Sequence, residues 1–410
     1  DDGSYRRVYP QGSTAMHTVG YVSVRFGTTG IESAMNDTLT GHADYSNWRN
    51  ALYSLAGINT PGSTVALTIN SQMQASAERA LYGYVGAIVV MDPQTGAILA
   101  KASSPTYSNE QVGNLIASGN SSSALIDRSV NALYAPGSTF KVLTLAAALD
   151  AGTAKLDTQY PAPATIDIGN AAVVNINNEE WESLTLLEAL SYSANTVYGQ
   201  VGTQLGASTL VSYARAFGYG SEGIGQDFLA LASLMPDPSE MTEWELAWAA
   251  CGQPVGEHKS PAGPQATVMQ NAIMAAAIAN GGIAMNPYVV DHILTPEGVQ
   301  TNDTQPKLLS QTVDAKTASK VKDALLDVVE YGSGQGAQVG QARVAGKTGT
   351  AETVSGQANS LFVGFAPFDE PTLAISVCIE GGEDQDVSGA ATYLAGQVLA
   401  QCLDVQSQGA

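Results

Sequence analysis

The stretch that most constrains this chain is residues 134–150, YAPGSTFKVLTLAAALD. Past Lys141 the run VLTLAAAL has almost no polar face, and a helix that is apolar all round belongs inside a protein. Pro136 and Gly137 make a turn, Ser138 or Thr139 can cap the helix that follows, and Gly152 supplies a C-terminal stop. The fold must therefore surround this helix with apolar structure. It must also accommodate an ammonium in the first turn, whose burial is costly unless the group is paired or loses its proton. Lys141 either snorkels out at the helix end or is held there for chemistry.

The rest of the chain can build that surround. With 410 residues, 44% of them hydrophobic, it is long enough for one large domain and a smaller one. Its 17 Lys and Arg against 38 Asp and Glu give a net charge of −21, a field that repels nucleic acid and anionic membrane surfaces. The charge itself reads as a solvated acidic surface. Cys251, Cys378 and Cys402 are too few and too scattered for a disulfide framework, and Cys378, inside LAISVCI, reads as a small core residue. His17, His42, His258 and His292 lack metal-ligand spacing, so no metal site is expected. No apolar run is long enough to span a bilayer, and no signal-peptide pattern opens the chain.

The periodicities divide the chain unevenly. Residues 1–60 are rich in Gly, Tyr, Ser and Thr. A short strand is expected at 61–70, a helix at 71–83, and a hairpin over 86–103 turning at Asp92–Gly96. Residues 104–132 read as a long surface connection. From 138 to about 290 the pattern is mainly helical, clearest at 266–282, and another helix is expected at 317–332. Strands return at ARVAGKTGTAET, NSLFVGFAPF and TLAISVCIE, before a final helix at 388–403. Strands at both ends with helices between them imply an α/β domain whose antiparallel sheet is assembled from distant segments.

Three short motifs carry chemistry. Ser138 and Lys141 lie at i and i+3, on one helix face. A serine hydroxyl needs a neighbouring base, and a desolvated lysine can be one. A helix N-terminus also aims free N–H groups at any oxyanion that forms. Ser319-Lys320-Val321-Lys322 fits the same pattern, but its mixed polar face reads as solvated surface. Ser193-Ala194-Asn195 offers a hydroxyl to relay a proton and a carboxamide to hold an amide; it is weak alone, since Ser118-Gly119-Asn120 matches it in a loop. Lys347-Thr348-Gly349-Thr350 suits an anionic carboxylate, with Gly349 clearing space for a close backbone. A P-loop is excluded, because the pattern requires glycine at Gln341.

In that order, SxxK, SxN and KTG form the set found in penicillin-binding proteins and class A β-lactamases. The chain resembles a class B penicillin-binding protein, a peptidoglycan D,D-transpeptidase of actinobacterial type. VALTINSQMQ, MDPQTGAILAKASSPTY, YAPGSTFK, AAIANGG, AGKTGTAE and FVGFAP all resemble the family's stretches, and residues 6–41 resemble its non-catalytic pedestal. The resemblance implies a penicillin-binding-protein and serine β-lactamase-like fold, an antiparallel sheet flanked by helices plus an all-helical subdomain. A remnant of the N-terminal pedestal domain would occupy 1–64 and the transpeptidase domain 65–410. It implies Ser138 as nucleophile, Lys141 as its base, and Ser193 and Lys347 passing the proton to the departing D-alanine. The backbone N–H groups of Ser138 and Thr350 would form the oxyanion hole. Asn195 would hold the substrate amide and Thr348, Gly349 and Thr350 its terminal carboxylate side. No cofactor is implied. The partners would be peptidoglycan stem peptides, β-lactam antibiotics and a separate membrane glycan polymerase, with no nucleic acid. The enzyme would work at the extracytoplasmic face of the cell membrane, anchored by an N-terminal helix that precedes this sequence.

Three alternatives share these motifs. A class A β-lactamase would need a deacylating glutamate in an ExxxN setting between SxN and KTG, and neither Glu243 nor Glu257 stands in one. A D,D-carboxypeptidase would use water in place of the amine, and nothing in the motifs selects between them. A non-catalytic penicillin sensor would be acylated only to signal, which a pedestal disfavours.

Overall fold

Two apolar segments more than 240 residues apart in the chain, 86–104 and 345–379, form one antiparallel sheet. The computed structural model describes residues 7–42, 52–53, 55–57, 60–118, 122–256, 259–352, 356–382 and 385–409; Gly119, Asn120, Glu257 and His258, considered above, lie outside them. In chain order the elements that position the site are α1 (Ser71–Ala80), β1 (Gly86–Met91), β2 (Ile98–Ser104) and α2 (Lys141–Asp150). Next come β3 (Gln159–Ala162), β4 (Thr165–Ile168), β5 (Ala171–Val174) and β6 (Trp181–Thr185). Helices α3 (Leu186–Ser191), α4 (Asn195–Leu205), α5 (Glu243–Ala250), α6 (Val268–Ala279) and α7 (Ala315–Glu330) follow. The chain closes with β7 (Ala345–Glu352), β8 (Ala358–Ala366), β9 (Leu373–Ile379) and α8 (Ala390–Gly409).

The sheet order is β7-β8-β9-β1-β2, so the KTG strand β7 lies at an edge. Both faces of the sheet are covered, and β1 and β9 are therefore apolar without alternation. Ala87, Val89, Leu361 and Val363 face a core shared with α2 and α6. Ile88, Val90, Phe362 and Val377 face α1 and α8. The opening helix meets its expectation: every residue of α2 from Lys141 to Leu149 is buried. So is α6 from Val268 to Ile278.

The structure differs from the sequence expectation in three places. The subdomain expected to be all-helical also carries two ribbons, β3 paired with β6 and β4 with β5. Gly169 and Asn170, both at positive φ, form the tight turn of the second. Residues 104–132 are more than a surface connection: a helix spans Val112–Ala117, and Asp127, Arg128, Ser129 and Val130 are buried. Asp127 pairs with Lys101 of β2, and Arg128 Nε donates to Glu380 at 2.9 Å. These partners are remote in sequence, which is why the segment's polar composition suggested exposure. Finally, neither Ser138 nor Thr139 caps α2; a 3-10 turn, Gly137–Phe140, leads into it. The decoy Ser319 and Lys320 are exposed on α7, as their mixed face required.

The covering of the second sheet face can be tested on α8. Leu399 is fully buried, whereas Tyr393 is 60% exposed. Leu399→Ala should lower unfolding free energy by about 2–5 kcal/mol. Tyr393→Ala should stay within about 0.5 kcal/mol; thermal or denaturant midpoints compare the two.

Candidate active site

The 3-10 turn places Ser138 at the end of a left-handed residue, Gly137, with φ +54°. A Cβ there would lie 2.5 Å from the Thr350 carbonyl oxygen of β7. Only glycine lets the turn and the edge strand approach so closely. Gly349 serves the same contact from the other side, since its Cβ would fall 2.9 Å from Thr139 Cγ2 and 3.1 Å from Pro136 O. Thr139 Oγ1 donates back to Pro136 O at 2.7 Å. The turn's neighbouring hydroxyl, on Ser138, is held instead by Lys141, whose Nζ donates to its Oγ at 3.1 Å.

Lys141 is wholly buried. Its Nζ also donates to Ser193 O and to Asn195 Oδ1, each at 2.7 Å, and lies 3.3 Å from Ser193 Oγ. Ser193 can offer carbonyl and hydroxyl together because it turns left-handed, φ +62°, between α3 and α4. A non-glycine residue there is strained, and such strain persists only where surrounding structure holds it. Asn195 opens α4 and is anchored at both ends, its Nδ2 donating to Val174 O on β5 at 2.9 Å. One Nδ2 hydrogen remains for another acceptor.

Lys347 reaches the same hydroxyl from the sheet. It too is wholly buried, and its Nζ donates to Ser193 Oγ at 3.0 Å, Thr348 O at 3.2 Å and Thr348 Oγ1 at 3.4 Å. Burial pulls Lys141 down to about 8, with the nearby Cys251 opposing. Burial also holds Lys347 well below its ordinary value, and the Lys141 charge adds to that. Neither lysine has a carboxylate partner among the described residues. Two ammoniums without a counter-anion favour loss of a proton, and they favour an incoming carboxylate.

The edge strand supplies the remaining polar groups. On β7 the Thr350 carbonyl points away from β8, toward Gly137, and Gln253 Nε2 donates to it at 3.4 Å. The N–H and C=O of a strand residue point to the same side, so the Thr350 N–H also faces the Ser138 turn. Thr348 Oγ1 lies 2.9 Å from Ser333 Oγ.

All eight residues expected from the sequence thus converge: Ser138, Lys141, Ser193, Asn195, Lys347, Thr348, Gly349 and Thr350. Glu243 stands exposed at the start of α5, whereas the site abuts the other end of that helix through Cys251 and Gly252. Three residues beside the site escaped the sequence reading. Ser333 follows α7 in a glycine-flanked turn, with only tertiary pairing to reveal it. Cys251 donates to Asn195 O at 3.4 Å, and burial pushes its thiol up to about 11. Tyr198 sets its ring 5.5 Å from Lys141 Nζ; its place three residues after Asn195 was a usable signal.

Comparison with known proteins gives consistent results. Residues 86–402 match the model described as penicillin binding protein transpeptidase domain, and residues 1–65 match penicillin binding protein A dimerisation domain. The Mycobacterium tuberculosis peptidoglycan D,D-transpeptidase PbpA is 31% identical over 443 residues, covering all of this chain and 86% of the relative. The D,D-transpeptidase domain of a peptidoglycan glycosyltransferase from Eggerthella lenta superposes with TM-score 0.91 at 44% identity, covering 100% and 94% of the two chains. The penicillin G acyl-enzyme of M. tuberculosis penicillin-binding protein A superposes with TM-score 0.85 at 29% identity, covering 100% and 96%.

The close approach at Gly349 is testable. Gly349→Val should push β7 away from the Ser138 turn and slow β-lactam acylation by about tenfold or more, given the sensitivity of reaction to small misplacements. Stopped-flow acylation, with the melting temperature as a folding control, measures the effect.

Proposed function

Because the chain belongs to the penicillin-binding protein transpeptidase family, we propose that it cross-links peptidoglycan stem peptides as a serine D,D-transpeptidase acting through an acyl-enzyme on Ser138. The observation that carries this reading is the contact of the Ser138 hydroxyl with a buried lysine that burial pulls down to about 8. In its neutral form Lys141 takes the hydroxyl proton as Oγ attacks the carbonyl between the terminal D-alanines. The Ser138 and Thr350 N–H groups receive the oxyanion. Breakdown of the tetrahedral intermediate breaks the C–N bond, and the departing D-alanine nitrogen takes a proton through Ser193 Oγ, which bridges Lys141 and Lys347. Thr348 and Thr350, backed by Lys347, hold the terminal carboxylate, supplying the anion that the two lysines lack. Gly349 keeps the strand close, and the remaining Asn195 N–H holds the substrate amide. An amine from a neighbouring strand then releases the acyl group.

On this reading β-lactams acylate the same serine, which the imipenem and penicillin G acyl-enzyme complexes of the M. tuberculosis relative support. The division of the chain into a pedestal remnant at 1–64 and a transpeptidase domain at 65–410 is part of this reading, as are an extracytoplasmic site of action and a separate membrane glycan polymerase as partner. No described helix is long and apolar enough to cross a membrane. Failure of the polymerase to co-purify from membranes would count against that partnership.

Intact-mass analysis with benzylpenicillin tests the nucleophile. A lasting adduct of one drug mass should form in the native protein and in Ser319→Ala, and vanish in Ser138→Ala; an adduct that hydrolyses within minutes would indicate a β-lactamase instead. The acylation rate should rise with pH through about 8 and level off above it, because only deprotonated Lys141 accepts the proton. A flat profile between pH 6 and about 9 would remove Lys141 as the base.

A further inference from the structure

Cross-linking needs a second substrate whose place is still unassigned. By microscopic reversibility, the attacking amine nitrogen occupies the position that the departing D-alanine nitrogen has left, beside Ser193 Oγ. The rest of the acceptor must then pass over the turn that carries Ser193. On that turn Tyr192 is 50% exposed, and its ring stacks on Trp181 of β6, with centroids 5.4 Å apart and planes within 12°. Tyr331, 72% exposed, stands at the end of α7, two residues before Ser333. Ser333 N donates to Ser191 O at 3.2 Å, tying that end of α7 to the Tyr192 turn. Glu179, Glu180 and Glu182 flank Trp181, all exposed. The Tyr192 turn, the start of β6 and the end of α7 thus bring exposed aromatic residues to the neighbourhood of Ser193, with exposed glutamates beside Trp181 in the chain.

We propose that Trp181, Tyr192 and Tyr331, with Glu179, Glu180 and Glu182, form the acceptor subsite, which receives the amine-bearing stem peptide of the second strand. The inference rests on the transpeptidase reading. A polymer cross-linked to itself carries an amine on its stems, and near neutral pH that amine arrives as an ammonium. Carboxylates raise its local concentration, and aromatic faces attract cations and cover the apolar parts of the peptide. The ammonium gives one proton to solvent, and the neutral nitrogen attacks the acyl carbonyl. The new C–N bond forms as the C–Oγ bond breaks, and the second proton from nitrogen passes to Ser138 Oγ through Ser193 Oγ.

The test is a partition experiment on the full chain, with a synthetic stem pentapeptide ending in D-Ala-D-Ala as donor and an amine-bearing stem tetrapeptide as acceptor. Cross-linked and hydrolysed products are quantified against acceptor concentration, alongside benzylpenicillin acylation of Ser138. In the double variant Trp181→Ala/Tyr192→Ala, acylation should stay within about twofold of the native rate while the ratio of cross-linking to hydrolysis falls about fivefold or more. Tyr192→Phe, which keeps the ring, should restore the ratio. Glu179→Gln/Glu180→Gln/Glu182→Gln should raise the half-saturating acceptor concentration about threefold and flatten its dependence on salt. An unchanged ratio in the double variant would overturn the proposal. So would an equal fall in donor acylation, which would assign the rim to the donor or to structure. If native Ser138 fails to acylate at all, the transpeptidase reading falls and this inference falls with it.

Discussion

Two wholly buried lysines, Lys141 and Lys347, share the hydroxyl of Ser193, without a carboxylate partner among the described residues. Much of the structure around the site follows from holding this costly arrangement together. Desolvation and mutual repulsion both disfavour the doubly charged state, so the site is poised to lose a proton and to accept an anion. The same low-polarity surroundings that make the lysines expensive strengthen every hydrogen bond they make. Catalytic competence here is a property of burial as much as of residue type.

Such an arrangement needs two rigid supports. The sheet contributes an edge strand whose outer side pairs with no other strand, while the opposite side is locked to β8 along its full length. The helical subdomain contributes the left-handed Ser193 turn, held through Asn195 to the β4–β5 ribbon and through Cys251 to the end of α5. The two supports meet where Gly137 and Gly349 let backbones approach, and Gly137 N donates to Gly252 O at 2.9 Å across that junction. Sub-ångström positioning of Ser138 therefore depends on packing between layers rather than on α2 alone.

Legibility in the sequence followed the range of the interactions. The α2 and α6 helices were readable because apolar residues on every face have one physical meaning, burial. The hairpin β1–β2 was readable from its two short apolar runs and the Pro and Gly of its turn. The ribbons were harder: four-residue strands carry little periodicity, and their pairing is stabilised mainly by the helices beneath. Residues 104–132 misled because Asp127 and Arg128 look solvated until Lys101 and Glu380 are brought beside them. Ser333 could not be found without the fold, since its contacts with Thr348 and with Ser191 both come from segments remote in the chain.

The sequence by itself determined which residues are candidates for chemistry and in what order they stand along the chain: a hydroxyl one helical turn from a lysine, a second hydroxyl with a carboxamide, and a lysine-threonine-glycine strand. Local geometry, the i to i+3 spacing and strand alternation, is encoded in neighbouring residues, and so it could be read directly. Only tertiary structure decided that these motifs meet around one serine hydroxyl, that both lysines lose their solvent, and that a stacked aromatic pair borders the Ser193 turn. Those outcomes depend on desolvation and on contacts between segments up to more than two hundred residues apart, and neither is carried by any short stretch of chain.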